Sequence, residues 1–197
     1  MSFHGLHLHR PEPEALRGLL ERSHDQPFSH GEPGLIAEDR VPKGFTKHVM
    51  RRSLGTGAIM FANAVACVES WNMHRGAGLV VAADDDVSIG VAVALCAPLL
   101  APLPFGWIDA TCRVISVERS TDRYAFVYGT LPHHPEMGEE AFELVHRRDD
   151  GVEMTITAIS RPAFAAARAL PAVNRALQRH AVNRYLDVVQ AAASPWR

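Results

Sequence analysis

The sequence has no surplus of charge of one sign: 20 lysines and arginines stand against 22 aspartates and glutamates, a formal net charge of −2, and no long run of either sign occurs. A protein that grips a phosphate backbone or an anionic bilayer needs a basic excess, so neither nucleic acid nor anionic lipid is expected as a partner. Cysteine is scarce and unpaired. Cys67, Cys96 and Cys112 are odd in number and scattered, which suits buried thiols in a reducing compartment and not a disulfide framework. Each sits among apolar residues with no neighbour that would depress a thiol pKa, and the paired spacing of a structural zinc site is missing. No metal and no cofactor is therefore expected.

Long apolar runs are also lacking. The longest, Val87 to Pro104, is interrupted by Gly90, Pro98, Pro102 and Pro104, too often for a membrane helix of about 20 residues; it reads as a buried strand followed by a loop. The first residues, MSFHGLHLHRPEPEALR, have no apolar core behind a basic start and do not read as a secretory signal, so a cytoplasmic location is the expectation. His4, His7 and His9 in this segment read as solvated and receive no function. No repeat or low-complexity tract is found.

What is present fits one α+β domain of 197 residues, long enough to bury a substantial core. Residues 1–44 form an N-terminal arm: Leu16, Leu19 and Leu20 at helical spacing behind Pro-Glu-Pro predict a short helix to Arg22, and Ser23 to Gly44 is aperiodic and rich in turn residues. Residues 45–197 form the domain proper. Phe45 to Leu54 predicts a strand, and Gly55-Thr56-Gly57 opens a helix with Phe61, Ala64, Val65, Val68 and Trp71 on one stripe and Met73, His74 and Arg75 in its last turn.

Six strand candidates follow: Gly78 to Ala83, Ser88 to Cys96, Ile108 to Arg119, Arg123 to Thr130, Glu139 to Arg147 and Val152 to Ser160. Short polar connections such as Ser120-Thr121-Asp122 and Asp149-Asp150-Gly151 join antiparallel neighbours. From Pro171 to Gln190 a long helix carries Val173, Leu177, Ala181, Tyr185 and Val188 as its stripe. This order predicts a curved antiparallel sheet of six or seven strands wrapped around the C-terminal helix, a helix-grip-like arrangement that encloses an apolar cavity approached by Trp71.

The densest group of functional side chains is YGTLPHHPEMGEEAF, Tyr128 to Phe142. His134 with Glu139 and Glu140 can make an acid/base pair, because a carboxylate raises and orients a neighbouring imidazole. The loop's Pro135 and Gly138 would fold His134 back onto one of those carboxylates. Tyr128, Thr130 and His133 belong to the same segment as candidate ligand contacts. A rigid turn whose His and Glu side chains cap backbone groups is the structural alternative, and H-E-x-x-H metal spacing is missing. In a second cluster, Trp71 and Met73 read first as core anchors, and His74 with Arg75 as side chains suited to the negative end of the helix dipole; the alternative is that Trp71 and His74 line a ligand. Arg113 and Arg161 lie in or beside apolar strands and need partners; either Glu139 or Glu140 pairs with one, or they form an anion site.

The stretch resembles uncharacterised protein family 0548, a domain-of-unknown-function family of bacteria and plants whose motif reads YGTLPGHPE-x-GEE-x-F. CRVISVE at Cys112 to Glu118, TAISRPAFAAARAL at Thr157 to Leu170, LGTGAIMFANAVACVESWNMHR upstream and ALQRHAVNRYL downstream are similar to family segments in the same order. The resemblance spans Phe45 to Gln190 and implies no reaction. It attaches any family role to His134, Glu139 and Glu140, and His133 replaces the usual glycine, which puts a positive-φ backbone there in doubt.

Two functions of different classes follow. The first is a binding module for a small lipophilic molecule, held between sheet and terminal helix with the histidine-glutamate loop at the rim. The second is a small-molecule enzyme of cyclase or isomerase type, with His134 as general acid/base, Glu139 or Glu140 orienting it and Arg113 or Arg161 as clamp; no nucleophile for acyl transfer is identifiable. A partner-binding adaptor that uses the N-terminal arm is the third.

Overall fold

In the computed structural model, residues 5–99, 106–164 and 171–194 are described, with the backbone alone for 171–177. Pro13 starts the first helix, α1 (Pro13–Ser23), where a missing N–H costs nothing, and Leu16, Leu19 and Leu20 are its buried face. Those leucines cluster with Val80, Ala82, Ala92, Ala94, Cys96 and Trp107, so α1 covers the outer side of one end of the sheet. Residues 24–45 run on in turns and bends.

The strands are β1 (Leu6–His7), β2 (Thr46–Thr56), β3 (Val80–Ala83), β4 (Ala92–Pro98), β5 (Trp107–Arg119), β6 (Arg123–Thr130), β7 (Glu136–His146) and β8 (Gly151–Pro162). They pair antiparallel in the order β2-β8-β7-β6-β5-β4-β3, a meander that the first long strand closes by lying beside the last. The seven-strand path agrees with the expected meander, and the short polar turns join consecutive strands because a two- to four-residue link cannot cross over to a parallel neighbour. Two residues leave β1 no periodicity to read; it occupies the part of β5 that extends past the end of β6, pairing Leu6 with Ile108 and His7 with Trp107.

Helix α2 (Ala58–Glu69) buries Phe61, Ala64, Val65 and Val68, as its stripe requires. Met73, His74 and Arg75 do not continue it. Trp71 adopts a left-handed backbone (φ 60°), and a separate turn of helix, α3 (Asn72–Gly76), begins after it. The indole holds this break in place: it is buried, its Nε1–H donates to the Asp85 carbonyl at 2.9 Å, and its edge meets Phe126 with ring centroids 5.8 Å apart.

The last helix, α4 (Pro171–Ala193), packs on α2, α3, β2 and β8. Tyr185, Leu186, Val189 and Ala193 are its buried face, with Ala181 and Val188 half-buried beside them; the side chains of Val173 and Leu177, expected on the same stripe, lie outside the described residues. A curved antiparallel sheet wrapped around a long C-terminal helix is the helix-grip arrangement. Among the described residues no helix is long and apolar enough to cross a membrane.

Candidate functional site

Side chains alternate along β7, so adjacent glutamates point to opposite faces of the sheet. Glu140 sits opposite Tyr128 and Phe142 opposite Phe126, on the face covered by α4. Glu139 faces outward, opposite Gly129, where the N-terminal arm lies over the sheet. The Glu139 carboxylate is 2% exposed and accepts from the Gly34 N–H at 2.6 Å, the Ile36 N–H at 2.9 Å and His30 Nε2 at 3.1 Å. Burial alone would raise its pKa, but these donors outweigh burial and hold it below the usual carboxylate value. Its oxygens are spoken for by the arm, so Glu139 is not placed to orient His134.

Glu140 has the opposite environment. Tyr128 donates its phenolic hydroxyl to Glu140 Oε2 at 2.7 Å, and no cation pairs with this carboxylate among the described residues. Burial pushes Glu140 up to about 7, with the Tyr128 hydrogen bond opposing and Glu136 adding to the rise. Both side chains line a pocket of about 380 Å³ between the sheet and α4. Leu79, Leu95, Ala110, Ile156 and Val182 supply apolar wall, Tyr185 reaches in from α4, and His48, Gln178 and Arg179 stand at a polar margin.

His134 also borders this pocket, but through a different bond from the expected one. Its Nδ1 lies 2.9 Å from both the N–H and the carbonyl of Glu136, and no direct hydrogen bond joins it to Glu139 or Glu140 among the described residues. The reason is local: β7 already begins at Glu136, so the ring closes a tight turn on the strand's first residue while the strand carries the two glutamates away. A neutral ring that accepts the Glu136 N–H at Nδ1 carries its proton on Nε2. Burial pushes His134 down to about 4, which keeps the ring neutral near neutral pH.

The turn is clamped from below. Thr130 Oγ1 receives the Gly138 N–H at 2.9 Å and lies 2.6 Å from Ser29 Oγ, while the Ser29 N–H donates to the Thr130 carbonyl at 2.8 Å. At Gly138 (φ 153°) an added Cβ would lie 2.0 Å from the Ile159 carbonyl oxygen, so only glycine lets β7 and β8 approach here. Thr130 is thus a joint between arm, β6 and β7 at the edge of the pocket. His133 is exposed, at φ 77°, and does not border the pocket. The positive-φ backbone is retained with histidine in place of glycine.

The remaining candidates are dispersed. Trp71 and His74 belong to the core and not to the pocket wall. Far from serving as a cation at a helix end, the His74 ring is fully buried among Trp71, Tyr128, Phe142 and Tyr185, with centroid distances of 5.0 to 6.2 Å, and both ring nitrogens lack hydrogen-bond partners among the described residues. Burial pushes its pKa down to about 3, with Arg75 adding to the fall. Arg113 lies over the Phe28 ring at 4.5 Å and donates to the His24 carbonyl at 2.8 Å, fastening the arm. Arg161 lies over Phe45 at 5.3 Å. Neither arginine pairs with Glu139 or Glu140, because the guanidiniums meet aromatic rings on the arm side while Glu140 faces α4. His30 carries no sequence signal, being 109 positions from Glu139; Tyr185 stands in the α4 stripe, where a packing role hides its hydroxyl.

Comparison with known proteins agrees with this architecture. The sequence model of a domain of unknown function, DUF1990, matches residues 30–188. A Deinococcus radiodurans protein called UPF0548 protein is 28% identical over 193 residues, covering 94% of this chain and 98% of its own. Among solved structures, a hypothetical protein from Helicobacter pylori superposes with a TM-score of 0.57 at 11% identity over 83% of this chain and 95% of that one. Ara h 8.0201 superposes with a TM-score of 0.50 at 9% identity over 76% and 98%. At such identities these two likenesses concern the fold alone.

Proposed function

The chain belongs to the DUF1990 family, the domain of unknown function that spans its residues 30–188, and from that premise we propose that it binds a small lipophilic molecule in the pocket between the sheet and α4. The observation that carries the reading is the Tyr128–Glu140 pair, a hydrogen-bonded polar couple in an otherwise mostly apolar wall. Small-molecule sites are apolar concavities of about 300–1,000 Å³ with a few placed polar groups, and this pocket's 380 Å³ falls in that range. Near neutral pH part of the Glu140 population is protonated and donates a hydrogen bond. The ligand class is therefore a compact apolar molecule with one carbonyl or hydroxyl acceptor.

Displacement of a lipophilic fluorescent dye, combined with native mass spectrometry of the freshly purified chain, tests the proposal. Wild type should bind about one dye per chain, and Ala181→Trp, which fills the pocket from α4, should abolish binding at an unchanged melting temperature. Absence of dye uptake together with absence of a bound organic molecule overturns it.

A second reading rests on the same carboxyl. A group poised at about 7 beside a phenol suits proton transfer in an isomerase or cyclase, with Glu140 moving the proton, Tyr128 orienting it and His134 Nε2 as a neutral donor at the pocket's edge. Turnover separates the readings: an enzyme loses it in Glu140→Gln while keeping its ligand, whereas a carrier shows none even in wild type.

A further inference from the structure

On the opposite face of the sheet from the pocket, three side chains from three neighbouring strands converge: His7 on β1, Cys96 on β4 and Asp109 on β5. Cys96 and Asp109 are direct cross-strand partners, so their side chains leave the same face about 5 Å apart at Cβ. On the other side of β5, β1 is held by the Asp109 N–H, which donates to the Gly5 carbonyl at 2.9 Å. His7 then reaches over with Nε2 2.9 Å from both carboxylate oxygens of Asp109. One ligand atom from each of the three residues lies within 4.8 Å of the others. Strand alternation separates this cluster from the ligand pocket, since Leu95, Ile108 and Ala110 face the pocket and Cys96 and Asp109 face away.

We propose that His7, Cys96 and Asp109 form a binding site for a divalent transition-metal ion of the zinc class. The donor set of thiolate sulfur, imidazole nitrogen and carboxylate oxygen is the mixture that zinc accepts in tetrahedral geometry, with bonds of about 2.0 to 2.3 Å. Harder ions such as magnesium and calcium take oxygen ligands only, and the sulfur argues against them. Three protein ligands leave a fourth position, and His7, whose side chain is 36% exposed, marks its open side.

Cys96 is fully buried beneath the leucines of α1, and Asp109 beside it is 7% exposed. The Cys96 thiol hydrogen-bonds the same Asp109 carboxylate that His7 meets, so the three polar groups converge on one point. A nucleophilic Cys-His-Asp arrangement would put the imidazole next to the sulfur as its base, whereas here Asp109 is the common neighbour of both. A bound cation would take the place of the thiol proton, which leaves to solvent, and would hold the thiolate and the carboxylate as its ligands. By joining β1 to β4 and β5 it also fastens the start of the chain to the sheet. The sequence hides the set, for the ligands stand 89 and 13 positions apart with no repeated spacing.

The full chain, stripped with a chelator and kept reduced without added thiol, is titrated with cobalt(II), whose bond to a thiolate gives a near-ultraviolet charge-transfer band. The expected result is one equivalent of cobalt with that band, displaced by zinc, and a rise in melting temperature with either metal, because a ligand of the folded state alone stabilises it by mass action. Cys96→Ser should abolish the band, although Cys67 and Cys112 remain. His7→Gln, on a half-exposed side chain whose loss the core tolerates, should weaken binding by at least about tenfold, the scale on which even outer-sphere changes act. No charge-transfer band in wild type, a band that survives Cys96→Ser, or an affinity unchanged in His7→Gln each overturns the proposal. Dye binding in the pocket is unaffected by any of these outcomes, so the two proposals fail separately.

Discussion

A histidine at φ 77° pays for a conformation that glycine adopts freely, and His133 does so at an exposed turn outside the lining of the pocket between the sheet and α4. Left-handed backbone costs a non-glycine residue about 1–2 kcal/mol, partly offset by the entropy that glycine loses on folding. His133→Gly should therefore stabilise the protein by about 0.5–1 kcal/mol, read as a shift in urea midpoint at constant slope; a loss of stability would show that the ring makes a contact worth more than the strain. The Tyr128–Glu140 bond allows a sharper test. Because the phenol's hydrogen bond lowers a carboxyl that burial raises, Tyr128→Phe should drive the Glu140 pKa higher still. Carbon-13 NMR of the labelled carboxyl measures this directly, and a fall would mean that the hydroxyl does not stabilise the charged form.

At the scale of elements, the arm before β2 is joined to the sheet by polar bonds as well as by leucines. Glu139 is its main post: removing the carboxylate leaves the N–H groups of Gly34 and Ile36 and the buried His30 ring without their acceptor. Glu139→Ala should cost about 3 kcal/mol, the scale for losing hydrogen bonds to a buried charge. Hydrogen exchange should accelerate at Gly34 and Ile36 before it does in β6 or β7. Uniform acceleration across the sheet would instead make the arm inseparable from the core. The break at Trp71 follows similar logic, since a large ring locked under Asp85 and Phe126 fixes a left-handed residue that helical periodicity alone would carry straight through.

For the whole molecule, the buried His74 and two half-buried groups at the pocket, His134 and Glu140, set how stability depends on pH between 4.5 and 8. His74 and His134 fall from 6.5 to about 3 and about 4 on folding, so between those values and 6.5 the unfolded chain binds protons that the folded chain refuses. Each histidine makes stability rise with pH in that window. Glu140 rises from 4.5 to about 7, so between them the folded chain keeps a proton that the unfolded chain has lost, and stability falls as pH rises. From pH 4.5 to 6.5 two groups oppose one and the net slope is upward, on the order of 1.4 kcal/mol per pH unit for the uncompensated group. Above 6.5 Glu140 acts alone, and the stability it lends is lost through about 7. Urea denaturation across this range should give a maximum near pH 6.5, and Glu140→Gln should turn the decline beyond it into a plateau. A wild-type profile that keeps rising to pH 8 would contradict a Glu140 carboxyl that holds its proton up to about 7.

The amino-acid sequence by itself determined the antiparallel meander, the helix after Gly57 and the long terminal helix, because periodicity and turn chemistry act over a few neighbouring residues. It also singled out the Tyr128 to Phe142 segment, whose Tyr128, His134 and Glu140 border the pocket. Which face each side chain took was decided only by the tertiary structure. Glu139 and Glu140 are chemically alike and adjacent, yet strand alternation sends one to the donors of the arm and the other to Tyr128 beneath α4. The same holds for Arg113 and Arg161, whose partners are rings at Phe28 and Phe45, and for His7, Cys96 and Asp109, brought together by pairings among β1, β4 and β5. Contacts across about 100 positions depend on register and on which side of a sheet a segment returns to, and local spacing carries neither.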